Sequence, residues 1–466
     1  METQFPLAPV ADLPWLAYAS LLVIAVYFRF SRALTIRNLD LVLTLLIAAA
    51  VVVSTHFRDV PYVANPDVRH PMYTWSSLAL VVLAVLLVIR LLFDESLTRR
   101  PRLDQNLNQA GLAFLCVPAF AILAFGVFLK PAPVTNVKAI EHGRALLQRR
   151  EVQVGNEIND VPAPTETLIA AGGAAMAQLS GTLPNSVSVN TGETRSTELL
   201  VARILVVVAH MVVILGLLYI GRQHFSSIQL GVAMSCLYLL LPCTAANVHK
   251  LSHVLPAACL IWAIASYRKP MIAGVLLGLA CGTLFFAVFL LPLWAVFYGR
   301  KGAIRFSVSV LGVVVVLAVC LMMISGDADS FYYRVVSSTN WTVYRLLDDT
   351  LNITQTPMSH LFIRIPMAAI FFVMLTAMTV LPRPRNLENL LANSTALVVA
   401  AQMWYPDDIG SYVQWYMPLF LLVVFRPRLD RFTPPEMIDR QSATVSDGQP
   451  AGSQSTVALS RLSLYR

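Results

Sequence analysis

Charge is scarce in this chain. Asp, Glu, Lys and Arg together supply 13% of its 466 residues, about half the share in an ordinary soluble domain. Such a chain cannot cover a large water-facing surface with charge. No CxxC, HExxH, Walker A or glycine-rich dinucleotide motif occurs, which argues against a redox relay, a metalloprotease and an ATPase. The six cysteines (Cys116, Cys236, Cys243, Cys259, Cys281 and Cys320) all fall within or at the ends of apolar runs. None lies in a long polar loop, where a disulfide would be expected in an oxidising compartment, so they read as small packing residues. No internal repeat is discernible, which leaves an inverted-repeat transporter without support from sequence symmetry. No cleavable signal peptide is expected either. Residues 13–28 lack a basic leader and an Ala-x-Ala-like site, and they run into arginines.

What is abundant is hydrophobicity, at 57% of the chain. The apolar runs approach the roughly 20 residues needed to cross a bilayer, and their polar breaks alternate in character. Basic breaks occur at Arg29/Arg32/Arg37, Arg99/Arg100/Arg102, Arg222, Arg268/Lys269, Arg300/Lys301/Arg305, Arg383/Arg385 and Arg426/Arg428/Arg431. Lys and Arg are retained in cytoplasmic loops, so the alternation predicts an N-terminus outside and a C-terminus in the cytoplasm, in a cell (inner) membrane. The net charge of +8 then reads as anchors beside lipid headgroups, not as a nucleic-acid surface.

The expected fold is all-α, a polytopic transmembrane bundle of about 11–13 membrane segments. It divides into N-terminal helices with a first outer loop (1–130), an extracytoplasmic loop (131–198), a transmembrane core (199–432) and a disordered cytoplasmic tail (433–466). The long loop is expected to hold an amphipathic helix, VKAIEHGRALLQRR. Residues 271–298 do not fit one crossing, because both flanks are basic while two full spans would need roughly 40 residues. A pair of short re-entrant helices bending near Gly282–Thr283 reconciles the two, and such backbone must line a cavity or be buried in protein.

The stretch 240–302 reads LLPCTAANVHKLSHVLPAACLIWAIASYRKPMIAGVLLGLACGTLFFAVFLLPLWAVFYGRKG. With its polar cluster before a span, the YRKP turn, AGVLLGLA and LLPLW, it resembles the central part of GT-C type multi-pass glycosyltransferases. The final QWYMPLFLLVVFRP after WYPDD is similar to how many such chains end. The resemblance implies transfer of a sugar from a polyprenyl-phosphate carrier to an acceptor on the extracytoplasmic face. One departure stands out: the hairpin interior, CGTLFFAVF, lacks the Lys or Arg that many relatives carry there. A transporter or flippase, and a non-catalytic member of the same bundle fold, stay open as alternatives.

The resemblance also implies an acidic general base in an early outer loop. Here that loop is THFRDVPYVANPDVRHPMYT (55–74), so Asp59 and Asp67 are the catalytic candidates. A carboxylate there can take the acceptor's proton as its oxygen attacks the anomeric carbon. Arg58 and Arg69 beside them could bind a lipid-linked phosphate, as could Lys250 and His253 at the outer entrance of a later span. His249 and His253 are four apart, a spacing that would put them on one helix face. Asp327 and Asp329 form a DxD triplet, a weak divalent-metal candidate; otherwise no cofactor is expected. Trp404, Tyr405, Trp415 and Tyr416 read as an interfacial aromatic belt. His210, inside an apolar run, reads as a neutral histidine bonded to a neighbouring helix.

Overall fold

The computed structural model describes residues 12–58, 60, 70–94, 103, 105–152, 161–181, 192–283, 285–339, 361–381, 384–404, 412–429 and 432–435. Among them there is no β-strand. The chain begins with α1 (Asp12–Tyr27), α2 (Ile36–Phe57), α3 (Pro71–Leu92) and α4 (Gln109–Leu129). Two more polar helices follow, α5 (Val134–Gln148) and α6 (Pro164–Leu179), and then α7 (Gly192–Gln223), α8 (Ile228–Leu240), the single turn α9 (Pro242–Ala246) and α10 (Leu251–Ala265). Next come α11 (Pro270–Cys281), a 3-10 helix (Phe285–Phe289), α12 (Leu290–Met323), α13 (Ala328–Thr339), α14 (Leu361–Val380), α15 (Leu387–Trp404) and α16 (Val413–Phe425).

This is a multi-pass membrane helix bundle. Five stretches are long and apolar enough to cross a bilayer: Ile36–Phe57, Pro71–Leu92, Gln109–Leu129, Ser196–Gln223 and Phe286–Met323. Their exposed faces are apolar; on α12, Val308, Leu311 and Val316 are 60%, 62% and 50% exposed. A contiguous surface of that kind suits lipid, not water. Helix starts are set by local caps: Thr35 accepts from the Asn38 amide at 3.3 Å and Asn108 from the Gly111 amide at 2.8 Å, satisfying amides that a helix leaves unpaired.

The end of the bundle where the basic breaks gather is sealed by buried ion pairs. Arg90 forks onto Asp40 at 2.8 and 2.9 Å and reaches Asp94 at 3.0 Å. Arg426 bonds Asp94 from the other side and lies 3.5 Å from Glu388, whose Oε2 accepts the Leu429 amide at 3.1 Å. All five side chains are largely buried, so this network staples α2, α3, α15 and the exit of α16 together. Phe432 completes the end by packing on His224 and under Arg268, while its carbonyl takes the Leu387 amide at 2.8 Å.

Residues 270–298 fold as the re-entrant pair that their basic flanks predict. α11 ends at Cys281, and the break falls at the expected Gly282–Thr283. The return leg ends at Tyr298, whose hydroxyl donates to the Tyr267 carbonyl at 2.7 Å. The chain has therefore come back to the level at which it entered. α12 reverses again at Gly299, whose φ of 66° and ψ of 178° only glycine adopts readily. Trp294 and Phe306 stack at 6.4 Å across that turn, whereas 12 residues of straight helix would separate them by about 18 Å. α11 then lies parallel to the last leg. A Cβ at Gly274 would meet the Phe306 carbonyl at 2.6 Å, at Gly278 the Val313 Cβ at 2.9 Å, and at Gly282 the Leu317 Cδ1 at 2.4 Å.

The tip of this hairpin is capped by α6, a helix the sequence reading did not foresee. The Thr165 amide donates to the Gly282 carbonyl at 3.0 Å and the Thr165 hydroxyl to the Leu279 carbonyl at 2.8 Å. α5 is the amphipathic helix expected from VKAIEHGRALLQRR, and α13 is a second unforeseen helix. The aromatic belt is corrected: Trp404, Trp415 and Tyr416 are 6%, 0% and 3% exposed, packed inside the bundle, and Trp415 Nε1 donates to the Ser252 carbonyl at 3.3 Å. Tyr405 lies outside the described residues. His210 bonds the Tyr238 hydroxyl at 2.8 Å and the Val248 carbonyl at 3.1 Å, as expected of a histidine tied to its neighbours.

Two stability predictions follow from this packing. Gly274→Ala should destabilise the protein by about 1–3 kcal/mol, since a carbonyl blocks the added methyl. Gly312→Ala, which meets nothing within 4 Å, should be neutral or stabilising; melting of both in nanodiscs checks the contrast. Arg426→Met should cost about 3–5 kcal/mol, because Asp94 and Glu388 lose a buried counter-charge. A melting curve matching wild type would show that the network is not load-carrying.

Candidate functional site

The opposite end of the bundle is built differently. Leu241 leaves helical geometry at ψ 125°, Pro242 starts the single turn α9, and α10 does not begin until Leu251. This irregular backbone exposes carbonyls that side chains from elsewhere come to satisfy. Lys130, just past α4, donates to the Ala245 and Ala246 carbonyls at 3.2 and 3.0 Å. Asn136 of α5 donates to the His249 carbonyl at 2.8 Å, and Gln414 of α16 donates to the Thr244 carbonyl at 3.1 Å. Gln402 of α15 donates to the Tyr412 carbonyl at 3.1 Å. The Tyr412 ring stacks on His253 at 4.8 Å, and Phe286, next to the hairpin tip, packs edge-on against both Tyr412 and Trp415 at 5.6 Å.

Positive groups gather on the same turn. Lys130 and Lys250 act on His249, and burial together with these two charges pushes its imidazole down to about 3. Lys250, His249 and Arg58 act on His253, which is 4% exposed. Of the sequence candidates, then, Arg58 and Lys250 both come into electrostatic reach of His253, Arg58 from almost two hundred positions away. Asp59, Asp67 and Arg69 lie outside the described residues. His249 and His253 do not share a helix face as their spacing suggested, because His249 sits in the turn before α10 and only His253 is helical.

Asp327 and Asp329 are elsewhere. Asp327 accepts the Ser330 amide at 2.7 Å as the cap of α13, and Asp329 occupies the first turn of that helix. Helix capping thus accounts for the Asp327 carboxylate. Among the described residues no group of three or more His, Cys, Asp or Glu side chains is placed to hold a metal.

The cluster is also under-satisfied. Asn247 Nδ2, His249 Nδ1, His253 Nδ1, Gln402 Oε1 and Gln414 Oε1 are buried with no hydrogen-bond partner among the described residues. Each such atom costs about 1–3 kcal/mol if nothing meets it, so this corner is suited to water or to a polar ligand. Beside it, a small crevice of about 10 Å³, room for about one water, lies between α3, α15 and α16. It is lined by Leu80, Val81, Ala84, Val399, Gln402, Met403 and Tyr416. Its walls are mostly apolar, and Gln402 links it to the polar cluster.

Sequence reasoning missed Lys130, Asn136, Gln402 and Gln414. The two glutamines carried a usable signal, since an amide inside runs such as VVAAQMW and YVQWYM must find a partner within the bundle. Lys130 and Asn136 carried none, because only the fold brings them to the turn. No protein-family model, curated protein or solved structure matches this chain at a significant level.

The depressed histidines give this end an acid limit. An unfolded imidazole takes its proton near 6.5, whereas folded His249 resists down to about 3. His142 of α5 behaves alike: burial, with Arg334 and Lys138 near it, pushes it down to about 3. Their contribution is complete above pH 6.5 and is lost as pH falls from there toward 3. His249→Gln and His142→Gln should each shift the acid-unfolding midpoint, followed by tryptophan fluorescence, to lower pH. Unchanged midpoints in both would refute this assignment.

Proposed function

We propose that this chain is a GT-C-like transferase that moves a sugar from a polyprenyl-phosphate carrier to an acceptor at the extracytoplasmic face. The observation that carries the reading is the convergence at the loop-bearing end of Arg58, Lys130, His249, Lys250 and His253 with the orphaned polar atoms of Asn247, Gln402 and Gln414. Arg58, Lys130 and Lys250 suit a lipid-linked phosphate, and the open amide atoms Asn247 Nδ2, Gln402 Oε1 and Gln414 Oε1 suit sugar hydroxyls. The re-entrant hairpin whose tip meets this cluster is the element on which the resemblance to GT-C enzymes rests.

In this reading Asp59 or Asp67 removes the proton of the acceptor hydroxyl. The acceptor oxygen bonds the anomeric carbon as the bond from that carbon to the phosphate oxygen breaks. Lys250 and Arg58 meet the charge that develops on the departing phosphate. The loop-bearing end faces outward and the ion-paired end faces the cytoplasm of a cell whose inner membrane holds the protein. Nucleic acid has no part in it. The uncharged hairpin interior favours one second reading, a bundle that binds the lipid-linked sugar without transferring it.

Purified protein in liposomes, supplied with labelled polyprenyl-phosphate sugars, tests both. Wild type should transfer; Asp59→Asn or Asp67→Asn should lower the rate about 10²–10⁴-fold. Lys250→Ala and His253→Phe should weaken transfer while the protein still melts as wild type does. Full activity in the double Asn variant would exclude this loop as the source of the base. Binding without turnover in wild type would favour the second reading. Cysteines introduced at positions 160 and 385 report the sidedness, and only the first should be labelled from outside.

A further inference from the structure

The hairpin tip is held from above by the first turn of α6, and that turn contains a buried acid. Glu166 directly follows Thr165, whose amide and hydroxyl cap the Gly282 and Leu279 carbonyls. Glu166 is 2% exposed, and its Oε1 has no hydrogen-bond partner among the described residues. Next to it Thr167, 1% exposed, leaves its hydroxyl unpartnered too. We infer that Glu166 is a proton-binding site, and that holding a proton there is what lets α6 dock on the re-entrant hairpin.

The electrostatic surroundings support this. Burial pushes the Glu166 carboxyl up to about 7, with the Ala163 amide working weakly against it. α6 packs against α5, α7, α10 and α12, and the influences on Glu166 are its burial and the Ala163 amide, with no charged side chain among them. Arg144 of α5 pairs with Glu198 of α7 at 2.5 Å. His142 of α5 faces Lys138 and Arg334, and Arg203 of α7 lies over the Phe128 ring. Glu141 of α5 is exposed. His253 of α10 faces Lys250, His249 and Arg58. Cys281 beside the tip and Cys320 on α12 are the thiols of this region. An ionised Glu166 would have only the Ala163 amide and the N-terminus of α6 to offset its charge in a buried seat, whereas a protonated one is a neutral group.

The sign follows from linkage. Undocked, Glu166 would titrate at its ordinary value of 4.5; docked, at about 7. The docked state binds the extra proton, so docking is fully supported below pH 4.5 and weakens as pH rises through 7, then levels off. His142 and His249 act oppositely below pH 6.5, because docking leaves them unprotonated. Comparison of wild type with Glu166→Gln, which is neutral at every pH and nearly the same size, isolates the acid from the histidines.

The test is hydrogen–deuterium exchange of the full chain in nanodiscs from pH 4.5 to 8.5, corrected for the intrinsic pH dependence of exchange. The reporting peptide is 163–170, which contains the Thr165 amide bonded to Gly282. Protection should be the same in both proteins near pH 4.5. By pH 8 wild type should be less protected than Glu166→Gln, by on the order of 100-fold in opening constant. Peptide 228–240 should not distinguish them. Parallel curves for the two proteins at 163–170 would overturn the proposal and assign any pH dependence to the histidines. Stronger protection of wild type than of Glu166→Gln at pH 8 would overturn it as well.

Discussion

A broken helix inside a membrane leaves carbonyls that no water can reach, and the fold of this protein is organised around meeting that need. The break at Gly282–Thr283 frees the Leu279 and Gly282 carbonyls, and Thr165 takes both. From that contact the cap is built outward. α5 lies so close on α6 that a Cβ at Gly143 would fall 2.5 Å from the Ala171 amide nitrogen. α5 in turn holds the turn before α10 through Asn136 and the His249 carbonyl. The hairpin tip, the cap and the polar cluster are thus one chain of contacts, and loosening the first would release the last.

The two ends of the bundle differ in what they bury. At the basic end Asp40, Arg90, Asp94, Arg426 and Glu388 pair with one another in sequence, so charge taken out of water meets charge. At the other end polar atoms are buried and left open on Asn247, His249, His253, Gln402 and Gln414. The shared ion pairs hold four elements together at that end, although Arg426 Nε and Nη1 are left without a hydrogen-bond partner among the described residues. Several open valences converging on one turn mark a place where a ligand gains by binding, and there the cations Lys130 and Lys250 also stand.

The parts legible in the sequence were those with a local or one-dimensional cause. Basic flanks on both sides of a stretch too short for two spans gave the re-entrant pair and even its bend, because hydropathy and length fix the number of crossings. The amphipathic run in the long loop gave α5. α6 escaped notice because its run of small residues, IAAGGAAMA, is neither strongly apolar nor periodic; what makes it a helix of this fold is the hairpin tip beneath Thr165. Trp404, Trp415 and Tyr416 were misplaced for a related reason. Aromatic residues near a span's end suit an interface and a core equally well, and only the neighbouring helices decide.

Composition and the alternation of basic breaks determined by themselves that this chain is a membrane helix bundle with a doubled-back segment, since the cost of burying charge and backbone in lipid acts on every residue alike. The tertiary structure decided which residues meet. It brought Arg58 to His253, set Lys130 and Asn136 on a turn more than a hundred positions away, and buried Glu166 above the hairpin. Such meetings depend on how helices pack, on small residues at crossings and on carbonyls that need donors. Those are properties of pairs of segments, and no single stretch of sequence contains them.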